Sequence, residues 1–84
     1  MDKSSKTVLF TSEEFKRESL KSLLHSISDI LTERGYDAVD QISGYLISND
    51  PAYITSYKDA RKNIQRVDNY EIIEELVRYY LENK

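Results

Sequence analysis

The sequence predicts an all-α protein: a compact bundle of about four to five short helices behind a flexible N-terminal tail, paired with a second copy of itself. Three observations lead there. Apolar residues recur at spacings of three and four along residues 15–31, 39–46, 57–67 and 72–81. Helix-start signatures stand before these runs, at Thr11 with Glu14, Asp37, Ser56 with Asp59, and Asp68 with Glu71. Finally, 84 residues without a cysteine leave a thin core and no disulfide or Cys-based zinc site to reinforce it. Sharing the core with a second chain is the remaining way to enlarge it.

Residues 1–11 are read as the tail and residues 12–84 as one helical domain. The tail ends in a β-prone run, Thr7-Val8-Leu9-Phe10. That run has two possible uses, packing on the core or pairing with a partner chain. The first helix is expected over about 12–34, with Phe15, Leu20, Leu23, Leu24, Ile27, Ile30 and Leu31 on one face. Gly35 ends it, because glycine accepts the left-handed conformation after a last turn. A second helix over 38–48 starts at Asp37 and carries Val39, Ile42 and Leu46. Ser48-Asn49-Asp50-Pro51 then stops the chain, with Asp50 capping a new turn and Pro51 at its first position. Ser56 is expected to open a helix running to Val67, and Asp68 the last helix.

Composition narrows the function. Charged residues make up 32% and hydrophobic ones 39%, a globular balance. A net charge of −3 argues against bulk attraction to nucleic acid or anionic lipid. No run of about 18 apolar residues is present, so direct membrane insertion is not expected. Met1 to Thr7 contain no apolar segment of a secretory signal, and a cytoplasmic location is expected. Seven tyrosines suit half-buried or interface positions, where the ring is covered and the hydroxyl stays wet.

No residue set has the look of catalysis. His25 is the only histidine and has no cysteine to join it around a metal. Glu13/Glu14 and Glu74/Glu75 are adjacent pairs whose side chains point in different directions. No glycine-rich phosphate loop occurs. Neither an enzyme nor a cofactor is expected. Gly44 lies inside the second helix, at a cost of about 1 kcal/mol relative to alanine. Close approach of another helix or chain is the expected reason, with Tyr45 and Tyr53 forming an aromatic wall beside it. Arg61 is expected to pair with Asp50 or Asp59. Lys58, Arg61, Lys62 and Arg66 form a basic helical stripe, whose ordinary reading is a solvated face. Its alternative use, around 58–66, is as the contact of a small nucleic-acid-binding protein.

The middle of the chain carries a series of blocks in order. They are Gly35-Tyr36, then Gln41-Ile42-Ser43-Gly44-Tyr45, Asp50-Pro51-Ala52-Tyr53-Ile54, Ala60-Arg61 with Ile64, and Glu74-Glu75-Leu76-Val77 with Tyr80-Leu81. At this spacing they resemble the IreB family (YrzL-like), short regulatory proteins of Gram-positive bacteria. The resemblance is strongest over residues 33–82. It departs from the family pattern at Asp37-Ala38, Asp40, Asn49, Lys62 and Gln65. It implies a helical homodimer without enzymatic activity. It also implies a substrate of a transmembrane, cell-wall-sensing Ser/Thr kinase, opposed by that kinase's phosphatase and acting on an unknown downstream protein. Such a protein acts as a negative regulator in cell-envelope stress and antibiotic tolerance. The family's tail phosphorylation maps onto Thr7, with Ser4 where a second tail threonine can stand. Gly35, Tyr36, Gln41, Gly44, Tyr45, Asp50, Pro51, Tyr53 and Arg61 are the structural or interface positions it implies.

Overall fold

A computed structural model describes residues 11–83. Four α-helices and two single 3₁₀ turns account for most of that stretch, and no strand occurs among the described residues. The expectations for residues 1–10, including Ser4 and Thr7, lie outside them.

Helix α1 spans Ser12–Glu33 and begins as its sequence dictates. The Thr11 hydroxyl accepts from the Glu14 N–H at 3.0 Å, and the Glu14 carboxylate accepts from the Thr11 N–H at 2.9 Å. This reciprocal box satisfies two donors that the first turn leaves free, and such a cap contributes about 1 kcal/mol. At the far end Gly35 takes φ +89°. The Gly35 N–H reaches the Thr32 carbonyl and the Tyr36 N–H the Leu31 carbonyl, both at 2.9 Å. That paired pattern closes the helix and sends the chain back.

Helix α2 spans Ala38–Ser48, with Asp37 accepting from the N–H groups of Val39 and Asp40 at 3.0 and 3.2 Å. It stops at Asn49, which is left-handed at φ 58°. Asp50 then accepts from the Ala52 N–H at 3.0 Å and opens a 3₁₀ turn over Pro51–Tyr53. All of this follows the sequence reading.

The next stretch does not. The expected helix from Ser56 to Val67 is a 3₁₀ turn over Tyr57–Asp59 followed by a short α3, Ala60–Ile64. Ser56 makes no side-chain cap, and the Thr55 hydroxyl accepts from the Tyr57 N–H at 3.2 Å instead. Lys58 and Asp59 are both left-handed, at φ 50° and 63°. The cause is tertiary. Ile54, Ala60 and Ile64 are all completely buried. Burying residues on both sides of Tyr57 requires a sharp reversal, and two left-handed residues supply it against their own preference. Helix α4 spans Asn69–Glu82, where expected, although the Asp68 side chain makes no cap bond. Its backbone carbonyl accepts from Glu71 and Ile72 at 2.9 and 3.2 Å.

One core joins these pieces. Ile27, Leu31, Ile54, Ile64 and Ile72 are its fully buried large side chains, with Leu20, Tyr45 and Ala60 beside them. Helix α4 supplies only Ile72 to it.

Gly44 meets a ring rather than a second helix. A Cβ there would stand 2.5 Å from Tyr53 Cδ1. We therefore expect G44A to destabilise the protein. In a Y53A background the same change gains the helix propensity of alanine, about 1 kcal/mol, without the clash. A thermal-melt cycle of the two single variants and the double should show that reversal of sign.

Candidate functional site

The feature that invites a function is helix α4, whose sides differ in character. One side is tied to α1 by charge. Arg17 forks onto Glu75, with Nε to Oε1 at 2.8 Å and Nη2 to Oε2 at 3.1 Å. The same Nη2 donates to Glu82 at 3.1 Å. Lys16 bridges to Glu71 at 3.0 Å, and Arg78 completes the row against Glu74 and Glu75 at 3.3 and 3.7 Å. The two-pronged arginine contact fixes direction as well as distance, so it holds α4 in register along α1. Its carboxylate partners hold the Arg17 guanidinium above its ordinary value, Glu75 foremost and then Glu82.

The apolar side is open. Tyr70, Val77, Tyr80 and Leu81 are each more than half exposed, and Ile73 is 40% exposed. Spacings of three and four place Tyr70, Ile73, Val77 and Leu81 along one stripe, which lines a shallow depression. Between α1, α2 and α4 lies a second groove of about 340 Å³, bordered by Leu24, His25, Ile42, Leu76 and Tyr79. Exposed apolar patches of this continuity commonly mark interaction sites.

The positions singled out by sequence are mostly architectural. Gly35 and Tyr36 close α1. Asp50 and Pro51 build the corner after α2, and Tyr53 lies over Gly44. Tyr45 is buried in the core, whereas Tyr53 is half exposed, so the two divide between core and surface. Burial pushes the Tyr45 phenol up, and Asp68 adds to the rise. Gln41 is half-buried, and its Oε1 is buried without a hydrogen-bond partner among the described residues. Arg61 does not pair with Asp50 or Asp59. Its Nε donates to the Ile54 carbonyl at 2.8 Å, which suits a cation better placed over a buried backbone acceptor than over an exposed carboxylate.

The basic stripe is broken up. Lys58 precedes α3 on a left-handed residue and donates to Glu33 at 3.1 Å. The Tyr57 hydroxyl donates to the same carboxylate at 3.1 Å, and Arg34 lies 4.7 Å from the centre of the Tyr57 ring. Lys62 and Arg66 stay exposed. No group of His, Cys, Asp and Glu capable of holding a metal occurs among the described residues, and none of their helices is long and apolar enough to cross a membrane.

A family model described as "IreB regulatory phosphoprotein" matches residues 5–82. The chain belongs to the IreB family. A relative named "UPF0297 protein" from Ruminiclostridium cellulolyticum is 39% identical over 79 residues, which is 94% of this chain and 90% of that protein. The IreB match includes Thr7 and begins one residue after Ser4.

Sequence reasoning missed the residues that tie this IreB-family domain together. Arg17 and Glu75 are 58 positions apart, and Lys58 and Glu33 are 25 apart. No local spacing signals such pairs. The second pair is testable by titration. Hydrogen bonds from Lys58 and Tyr57 hold the Glu33 carboxyl below its ordinary value of 4.5. A depressed folded value means that the contribution to stability is present above the unfolded value and is lost as pH falls through the folded one. In K58M, the Glu33 carboxyl followed by carbon NMR should titrate closer to 4.5, and the acid-side fall in melting temperature should become shallower.

Proposed function

We propose that this chain is a non-catalytic regulator whose signal is a phosphate on its N-terminal segment. Thr7 is the principal acceptor and Ser4 the secondary one. The writer is a membrane-anchored Ser/Thr kinase that responds to cell-wall state, and its phosphatase is the eraser. Acting as a homodimer in the cytoplasm, the protein restrains the envelope-stress response that underlies antibiotic tolerance, through contact with a downstream protein. The observation that carries the reading is the family match, whose description is a regulatory phosphoprotein and whose range includes Thr7. Physically, a phosphoryl group adds roughly −1.5 to −2 charges a few residues before the N-terminus of α1. Helix dipole and backbone donors there favour negative charge, while Glu13 and Glu14 oppose it. Phosphorylation thus shifts the balance between a docked and a repelled segment.

The homodimer is supported by the bare stripe on α4. A helix that contributes one fully buried residue to its own core, and leaves Tyr70, Val77, Tyr80 and Leu81 exposed, is well made for packing against another copy. The nucleic-acid reading has less behind it, because Lys58 and Arg61 are already engaged within the fold.

Two experiments test the proposal. Incubation of the full chain with the cognate kinase domain, followed by mass-spectrometric mapping, should place most phosphate on Thr7. T7A should remove that fraction, and absence of phosphate from the whole N-terminal segment would reject the reading. Light scattering should give a dimer mass for the wild type. V77E should weaken association about tenfold or more, equivalent to ~1.4 kcal/mol, while the helical circular-dichroism signal persists.

A further inference from the structure

The groove between α1, α2 and α4 combines apolar walls with uncompensated positive charge. Leu24, Ile42, Leu76 and Tyr79 supply the apolar surface, and the exposed Lys21 and His25 join them from α1. Lys21, Leu24, His25 and Ser28 stand at positions i, i+3, i+4 and i+7, so they form one row along α1. Seven steps of about 1.5 Å from Lys21 to Ser28 give the groove a length of about 10 Å. Its volume of about 340 Å³ matches the small end of ligand pockets, which run from about 300 to 1,000 Å³. A helix, about 10–12 Å across, is too wide to enter such a space. A single hydrocarbon chain is not. Glu75 is the one carboxylate in the lining, and its charge is already answered. Arg17 forks onto it at 2.8 and 3.1 Å, and Arg78 approaches it at 3.7 Å. Lys21 has no carboxylate within ion-pair distance among the described residues.

We propose that this groove binds a single-chain fatty acid. Its tail lies along Leu24, Ile42, Leu76 and Tyr79, and its carboxylate sits beside Lys21 and His25. The lysine offers a full positive charge, and the imidazole supplies an N–H donor in either protonation state. Burial of the tail takes methylene groups out of water together with Leu76 and Tyr79, which are 43% and 54% exposed. The chemistry selects the free acid over a bilayer, because a net charge of −3 opposes an anionic lipid surface. The groove is also separate from the bare stripe of α4. At about 100° per residue, Leu76 and Tyr79 lie within about 40° of Ile72 around the helix, whereas Tyr70, Val77 and Leu81 lie about 140–180° away. A second copy seated on the stripe leaves the groove open.

The probe is decanoate, added below its micelle-forming concentration to the full chain with labelled methyl groups. Saturable shifts are expected at the Leu24, Ile42 and Leu76 methyls, with Val67 and Val77, on the other two surfaces, unmoved. Decanol should bind about threefold more weakly, the effect of losing one exposed ion pair. Decyltrimethylammonium, with the opposite charge, should bind more weakly still. K21E should weaken decanoate about tenfold and leave decanol unchanged, a contrast that a folding defect does not produce. L76Q, at a partly exposed position, should weaken both ligands while the helical circular-dichroism signal persists. The absence of saturable shifts, equal affinity for the three head groups, or shifts spread to Val67 and Val77 would each overturn the proposal. So would groove methyls that respond to protein dilution but not to decanoate, which assigns the groove to a second copy. Cosedimentation with phosphatidylglycerol vesicles without decanoate binding also overturns it, in favour of a membrane surface. No kinase enters the measurement, so the result is separable from the phosphorylation reading.

Discussion

Ile54 lies in the irregular link between two 3₁₀ turns, yet it has no solvent exposure. Its side chain shares the core with Ile27 and Leu31 of α1, Tyr45 of α2, Ile64 of α3 and Ile72 of α4. Every helix therefore contributes to a core in which one fully buried residue belongs to none of them. Burying a branched aliphatic side chain stabilises by about 1.5–3 kcal/mol. In a chain this short, the contribution is a large part of a total margin of only several kcal/mol. Delivering Ile54 inward sets conditions on the backbone around it. The Asp50–Pro51 turn starts the descent, and the Ile54 carbonyl that follows it accepts from the Arg61 side chain, which spares a buried backbone acceptor from going unpaired. The left-handed pair Lys58 and Asp59 then turns the chain so that Ala60 and Ile64 enter the same core.

Around this centre the charged contacts have a different task. The Arg17 fork on Glu75 and the Lys58 contact with Glu33 lie partly or wholly in solvent. Exposed ion pairs add little to stability. They do constrain how elements slide, since a forked guanidinium accepts its carboxylate in few orientations. Helix α4 depends on such constraint, because Ile72 alone anchors it through full burial. A helix so lightly embedded is suited to presenting its other face, and the stripe from Tyr70 to Leu81 is what it presents.

The division of labour in the molecule follows from these two features. A small apolar knot holds Ile27, Leu31, Ile54, Ile64 and Ile72, charge holds α4 along α1, and three apolar surfaces remain bare. One is on α4, one lies between α1, α2 and α4, and one is beside the start of α1, lined by Phe15, Leu20, Leu23 and Val67. They sit on a scaffold that offers binding surfaces, which fits the regulatory description of the IreB family.

Much of this was legible in the residues alone wherever the physics is local. Thr11 and Glu14 can satisfy the first turn of α1 with no help from the rest of the chain, and Gly35 is free to take positive φ by its chemistry. Asp37 and Asp50 cap by the same short-range logic. Asp50 and Pro51 were legible as a stop and a new cap, and Gly44 announced a close neighbour. Tertiary structure decided that this neighbour is the Tyr53 ring, that Arg61 reaches a carbonyl instead of a carboxylate, and that the expected helix from Ser56 breaks. It also decided that Arg17 meets Glu75. The reason is common to all four. Each depends on where Ile54 and the helix faces come to rest in space, and hydrogen-bond partners or ring contacts are chosen only after that burial has brought distant residues together.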